Sequence, residues 1–426
     1  MSTVSLFVGQ CGNQLGLEYL NTVLGKSNFS ETPVYRHYDG KLRTIHVDSE
    51  PKVTQSLLKS RTGRLLRREN VLNTKRGRGS NWALGYYDNV ENVGESLAER
   101  TIDSLRREAE RCDAFTGCIV THSLSGGTGS GLGSRLVETI RDDYPLAHLM
   151  SVTVAPYWTG ESPLQQYNNL LCLDRLNRCC DAIILFHNDE ILKTLEAANA
   201  SSSGGPGSNP NPKIGVPDLN RVIASRLCGC FAPIRTEAES TGVRIGQEPW
   251  EMFRHCCSVP DVKFLSLHQP ASVHPASTWY ELTQTLCRQV KRGGCRYGDV
   301  PLKSLAVLAI ARGRDARDGM MADLARIEPK LKAGMECVDW NPFPIDFWIE
   351  RAARSRAATN ERELTVCSNS SAARGYVSRL VAAAEEKFRV RAFVHWYVQH
   401  GCEEADFEAA FETGKRIVAN YDYFIE

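Results

Sequence analysis

Residues 123–133 read SLSGGTGSGLG, and this stretch decides the fold. It follows a short apolar run at 118–123 (CIVTHS) and leads into a helical pattern over 132–142. Gly126, Gly127, Gly129 and Gly131 permit positive φ and close backbone approach. A helix opening near Leu132 turns its first N–H groups and the positive end of its dipole toward the loop. With the Thr128 and Ser130 hydroxyls, those amides make an anion cradle suited to a polyphosphate. No GxxxxGK[ST] occurs in the chain and no GxGxxG at this turn, so this is neither a Walker loop nor a dinucleotide fingerprint.

Outward from the loop the same alternation continues. Residues 4–8, 44–47, 118–123 and 182–186 read as short apolar strands, and 15–24, 94–112 and 132–142 as amphipathic helices. Strand, Gly-rich turn and helix in repetition indicate an α/β fold with a mostly parallel sheet. The run SSSGGPGSNPNPKIGVP interrupts it, and about 200–217 reads as a mobile surface loop. Residues 218–228 then read as a helix opened by an Asp218 cap. Strands are expected at 263–267 and 304–311, while Pro342 and Pro344 interrupt any long helix over 340–348. One continuous helix is expected over 372–400, ending at Gly401, and another over 403–419. The organisation expected is an N-terminal nucleotide-binding domain over 1–215, a central helix over 216–230, a mixed intermediate domain over 231–362 and a C-terminal helical hairpin over 363–426.

Composition narrows the function classes. At 426 residues the chain is expected to hold two or three domains. Lys and Arg total 51 against 50 Asp and Glu, a net charge of +1, which gives no electrostatic footprint for nucleic acid. No run of 18 apolar residues occurs, so no membrane insertion is expected. The opening MSTVSLFVGQ lacks a basic n-region, so no secretory signal is expected either. The 15 cysteines lack zinc-finger spacing and read as reduced, mostly buried thiols, a structural metal being the alternative. The scattered histidines suggest no Ser-His-Asp order, which speaks against an independent enzyme such as an oxidoreductase.

GGTGSG between a strand and a helix closely resembles the phosphate loop of tubulins and their bacterial relatives, here Ser123, Ser125, Gly126, Gly127, Thr128 and Gly129. Other segments follow in the family's order. Residues 9–16 (GQCGNQLG) are similar to the first nucleotide loop, with Gly9, Gln10, Cys11 and Gln14. Residues 47–51 (VDSEP) look like the second, with Asp48 and Glu50, and 77–85 (GRGSNWALG) like the third, with Gly79, Ser80 and Asn81. Gln165 and QYNN at 166–169 match the fifth. Asn188 (FHND) and Asn220 (DLN) stand where tubulins hydrogen-bond guanine, and RAFVHWYV at 391–398 matches a C-terminal helix string. The resemblance spans the chain and is weakest over about 230–360. It implies a tubulin-like fold with a Rossmann-like N-terminal domain. It also implies GTP or GDP with Mg²⁺ as cofactors, and other tubulins or centriolar proteins as cytoskeletal partners in the cytoplasm.

Asp48 and Glu50 are hard oxygen ligands for Mg²⁺, held through its waters. Two asparagines offer donor and acceptor together to a purine edge. Plain structural readings stand beside these: Asp48 as a turn cap, Asn188 and Asn220 as helix caps, and Trp82 and the HWYV aromatics as packing. The resemblance places the acid that polarises water against a neighbour's γ-phosphate at Glu251, with Glu248 as the alternative. It leaves open a weak GTPase completed across a subunit contact.

Several positions depart from conventional tubulins. Ser125 stands for a further Gly, Gln165 for a ribose-contacting Glu, and Val216 for a Tyr stacked on guanine, forfeiting about 1 kcal/mol. The final YDYFIE carries no acidic tail. These departures look most like the delta branch, with epsilon next, a branch associated with centrioles, basal bodies and flagella. The chain is then expected to be a nucleotide-regulated assembly subunit or, alternatively, a GTP-binding regulator that does not polymerise.

Overall fold

Residues 4–8 show why the N-terminal half folds as it does. Val4, Leu6 and Val8 enter one core cluster and Phe7 the other, the period of two expected of a strand covered on both faces. The computed structural model describes residues 2–25, 36–87, 96–160, 162–202, 214–234, 248–271, 277–293, 302–313, 315–350 and 362–425.

The strands are β1 (Ser2–Val8), β2 (Thr44–Asp48), β3 (Val71–Asn73), β4 (Phe115–Ser123), β5 (His148–Ala155), β6 (Ala182–His187), β7 (Phe264–His268), β8 (Ser304–Gly313), β9 (Ile345–Ile349) and β10 (Arg362–Ser370). The helices of the first half are α1 (Gly9–Gly25), α2 (Pro51–Lys59), α3 (Trp82–Tyr86), α4 (Leu97–Glu110), α5 (Gly133–Asp143), α6 (Gln165–Cys179) and α7 (Asn188–Ser202). There follow α8 (Val216–Phe231), α9 (Phe253–Cys256), α10 (Trp279–Gly293), α11 (Ala316–Gly334), α12 (Ala372–Arg389), α13 (His395–Val398) and α14 (Glu404–Ile425).

All ten strands join one sheet in the order β3-β2-β1-β4-β5-β6-β7-β10-β8-β9. Pairing is parallel from β3 to β7, and β6 meets β7 through Ile183–Phe264 and Ile184–Leu265. β10 runs antiparallel to both β7 and β8, and β9 returns parallel to β8. The α/β class with a mostly parallel sheet is therefore as expected. One face is covered by α5 and α6 with α12 and α14 stacked outside them, the other by α1 and α8. Among the described residues no helix is long and apolar enough to cross a membrane.

The structure differs from the sequence expectations in four places. β3, β5, β9 and β10 are strands that the pattern did not announce. Asp218 does not cap α8; it is the third helical residue, and its carboxylate accepts the Gly215 N–H (3.0 Å) from inside the first turn. The expected loop over about 200–217 is shorter, because α7 reaches Ser202 and α8 begins at Val216; residues 203–213 of it lie outside the described residues. The helix expected over 372–400 stops at Arg389. Arg391 and Phe393 take φ of 53° and 59°, which no helix tolerates, and the chain reverses before α13.

Backbone meets backbone where α3 lies against the turn after β4. A Cβ on Gly85 would fall 1.9 Å from the Gly127 carbonyl oxygen, whereas one on Gly25, at the end of α1, would meet nothing within 4 Å. Gly85→Ala is expected to destabilise the fold by roughly 2 kcal/mol in urea titration and Gly25→Ala to change little; equal effects would contradict this packing.

Candidate functional site

Parallel strands direct their C-terminal ends to one edge, where the loops of an open α/β sheet form a crevice. The turn after β4 is its centre. Gly126 takes φ 92°, and a Cβ there would meet nothing within 4 Å, so its outer side is open. Residues Gly127–Leu132 then wind as a wide π-type turn that runs directly into α5. The amides at its head belong to a helix N-terminus, a favourable place for a phosphate. Ser123 donates its hydroxyl to the Ser125 carbonyl (2.6 Å), fixing the entry to the turn. Ser130 does not line the cradle as expected: it is buried, and its hydroxyl donates to the Gly126 carbonyl inside the turn.

The first loop abuts this turn. Gly9, at φ 75°, would bring a Cβ to 2.9 Å from the Gly129 nitrogen. Gln10 is exposed, and Cys11 and Gln14 are partly so. Burial pushes the Cys11 thiol up to about 12, so it is a neutral packing group near pH 7. The sequence reading passed over Asn13. Fully buried, it donates to the Gly9 carbonyl and to the Val47 carbonyl, 2.9 Å each, and its own oxygen pairs with His46 Nδ1 at 3.0 Å. A polar residue on the buried face of α1, between Gly12 and Leu15, was the available signal.

The second loop supplies acid. Asp48 ends β2 nearly buried, and burial first, then the nearby Glu50 carboxylate, raise its carboxyl to about 6 against the opposing hydrogen bonds of the Glu50 and Ser49 amides. Glu50 is exposed at the start of α2. Between them Ser49 Oγ meets Thr128 Oγ1 at 2.5 Å, joining this loop to the glycine-rich turn. Among the described residues no three His, Cys, Asp or Glu side chains gather as a metal-binding group. Two carboxylates, one desolvated and held near its like-charged neighbour, suit a hydrated Mg²⁺ rather than a fully protein-caged ion.

The third loop turns sharply through Gly79 (φ 53°) and Ser80 (φ 54°). Asn81 then caps α3, accepting the Ala83 N–H at 2.9 Å. Its amide donates outward to the Trp396 carbonyl (2.8 Å) in α13. Asn168 holds the rest: its oxygen accepts the Trp82 N–H (2.9 Å) and the Tyr397 hydroxyl (2.7 Å), and its NH₂ donates to the Ser80 carbonyl (2.8 Å). Trp82 is fully buried, stacked on Tyr86 at 4.4 Å, a packing residue as expected; Tyr397 is likewise buried, while Trp396 is 41% exposed.

Three candidates lie on α7 and α8. Asn188 opens α7, Val216 opens α8 and is 55% exposed, and Asn220 lies in the interior of α8, which removes the cap reading for it. Leu219 and Ile223 of α8 pack in one core cluster with Leu15 of α1, and Cys11 borders it. Gln165, nearly buried, donates from Nε2 to the Tyr157 carbonyl (2.8 Å), a bond that the carboxylate of a glutamate could not make.

Glu251 is elsewhere. It belongs to the short turn Pro249–Met252, where it accepts the Glu248 N–H at 3.1 Å. The Trp250 indole donates to Thr116 Oγ1 (3.2 Å) and stacks on His148, placing this turn at the N-terminal ends of β4 and β5. Thr116 and Ser123 are seven residues apart along β4, about 23 Å of strand. The acid therefore sits at the edge opposite the glycine-rich turn. The fourteen described cysteines are all free thiols, nine of them buried.

Comparison with known proteins fits this geometry. The family model described as Tubulin/FtsZ family, GTPase domain matches residues 2–196. A human tubulin delta chain is 28% identical, with 99% of each chain covered, and the delta chain of Macaca fascicularis is equally similar at the same coverage. A tubulin beta-1 chain of Hypocrea rufa is 26% identical over 99% of this chain and 95% of its own.

The raised Asp48 carboxyl has a signed consequence. Its folded value, about 6, exceeds its ordinary 3.8, so its contribution to stability is full below about 3.8 and is lost as pH rises through about 6. Asp48→Asn is expected to raise the melting temperature of the nucleotide-free protein at pH 7.5, the gain shrinking at pH 4.5. A gain that grows on acidification would contradict the assignment.

Proposed function

From the match of residues 2–196 to the Tubulin/FtsZ family, GTPase domain, we propose that this chain binds GTP and GDP and assembles head to tail with other tubulins, most like the delta branch. The phosphates lie on the amides of Gly126, Gly127, Thr128 and Gly129, with Gly9, Gln10, Ser123 and Ser125 flanking them. Asp48 and Glu50 hold Mg²⁺ through its waters, and the ion neutralises the β/γ-phosphate charge. Gly79, Ser80 and Asn81 close the far side. Cys11, Gln14, Gln165, Asn188, Val216 and Asn220 surround the nucleoside, the two asparagines reading the guanine edge. Val216, exposed at the start of α8, offers the guanine face no ring of its own. By resemblance to the delta branch, the place of action is the centriole or basal body, in the organisation of flagellar microtubules.

One observation carries the assembly reading: the phosphate turn and the Glu248–Glu251 turn occupy opposite edges of the same sheet. An acid so placed serves a nucleotide bound to a neighbouring subunit, not its own. Burial raises the Glu248 carboxyl, with the Glu251 carboxylate adding to the rise.

The nucleotide released from the denatured native protein is expected to be GDP or GTP by chromatography; a nicotinamide, or none, would overturn the proposal. Glu251→Ala is expected to leave nucleotide binding intact and to abolish hydrolysis stimulated by assembly. Turnover unchanged in a sedimenting sample would remove Glu251 from its role, and failure to sediment with either GTP or GDP would favour a non-polymerising regulator.

A further inference from the structure

Residues 157–160 and 162–164 follow the C-terminal end of β5 and lead into α6, and several of them are tied to the C-terminal helices. The Lys387 ammonium of α12 donates to the Pro163 carbonyl (2.7 Å) and to Gln166 Oε1 (2.8 Å). The Tyr397 hydroxyl reaches the Leu164 carbonyl at 3.2 Å. Nearer β5, the Trp158 ring lies edge-on to Tyr376 at 6.3 Å, and the Arg379 guanidinium stands 3.9 Å over its face. Tyr376 and Lys387 are eleven residues apart, about three turns, so one stripe of α12 meets both Trp158 and Gln166. The Trp158 N–H is held by the Asp189 carboxylate (2.8 Å), next in sequence to Asn188. Gln165 closes the segment on itself through the Tyr157 carbonyl.

We propose that Lys387 is a positioning residue for nucleotide retention: its two hydrogen bonds latch residues 163–166 beside the bound nucleoside and so set the rate at which nucleotide leaves. This rests on the proposed guanine-nucleotide site. Three features separate a latch from mere packing. Lys387 is only partly buried, so little core is lost with it. Its pKa is lowered by burial, the mark of an ammonium drawn out of water onto its two acceptors. Its partner Gln166 lies at the first turn of α6, two residues before Asn168, so slackening at 163–166 is passed to the residue that holds the third loop.

The test is stopped-flow release of a fluorescent GDP analogue from the full chain. Lys387→Ala is expected to speed dissociation about tenfold, the weight of one charge-assisted hydrogen bond, with the association rate little changed. Lys387→Arg, which keeps two donors, restores most of the retention. The melting temperature of the nucleotide-free protein serves as the structural control and is expected to move little. Wild-type protein that binds the analogue, with a Lys387→Ala release rate equal to wild type, overturns the latch and leaves the site standing. So does a variant whose only change is a lower melting temperature. Wild-type protein that binds no guanine nucleotide overturns both.

Discussion

The side chain of Asn168 joins three parts of the chain that are remote in sequence: the third loop at Ser80 and Trp82, its own helix α6, and Tyr397 near the C-terminus. It is fully buried, and a buried amide left without partners costs on the order of 1–3 kcal/mol per unmade bond. The loops around the phosphate turn are therefore not free to set their own geometry. α3 fits against Gly127 and Gly131 only because Gly85 lets the backbones meet, and it stays there because Asn168 fixes its first residue. Asn169, one residue on, extends the same logic: oriented to satisfy its neighbours, its NH₂ donates to the Leu124 and Gln165 carbonyls and its oxygen accepts the Tyr376 hydroxyl, each at 3.1 Å. Phosphate turn, α6 and α12 thus share one hydrogen-bonded seam.

That seam explains why the C-terminal helices belong to the site though none of them lines the phosphate turn. α12 and α14 pack over α6, and Asp406 of α14 receives both Tyr87 (2.9 Å) and Arg175 (3.0 Å). The chain reversal at Arg391 and Phe393 has the same origin. A helix continued through 390–398 would carry Trp396 and Tyr397 away from Asn81 and Asn168; two residues in left-handed backbone bring them back. Local strain is accepted where tertiary hydrogen bonds outweigh it.

This also marks what the sequence could and could not disclose. The glycine-rich turn, the first strand and the second strand's acidic end were legible as local structure because their causes are local: glycines where the backbone must bend, apolar alternation where a strand is covered twice, paired carboxylates at a strand end. RAFVHWYV was misread as uninterrupted helix because its apolar spacing is helical and the partners that break it lie more than two hundred residues upstream. β10, the central antiparallel strand, went unseen because RELTVCSNS carries polar residues throughout, and its Thr365, Ser368 and Asn369 are buried by pairing with β7 and β8. Asn13 and Asn168 were quoted within motifs without their task being recognised, since a buried amide shows its partners only in three dimensions. The placement of Glu251 opposite the phosphate turn likewise depends on sheet direction, which no motif encodes.

If the seam is the organising feature, a nucleotide seated on the phosphate turn should tighten segments it does not touch. Hydrogen exchange with and without Mg²⁺ and GDP tests this directly. Slowed exchange is expected at 126–131 and 80–83, and also at 394–398, with β9 unchanged. Nucleotide bound with no added protection at 126–131, or protection confined to regions outside the seam, would contradict it.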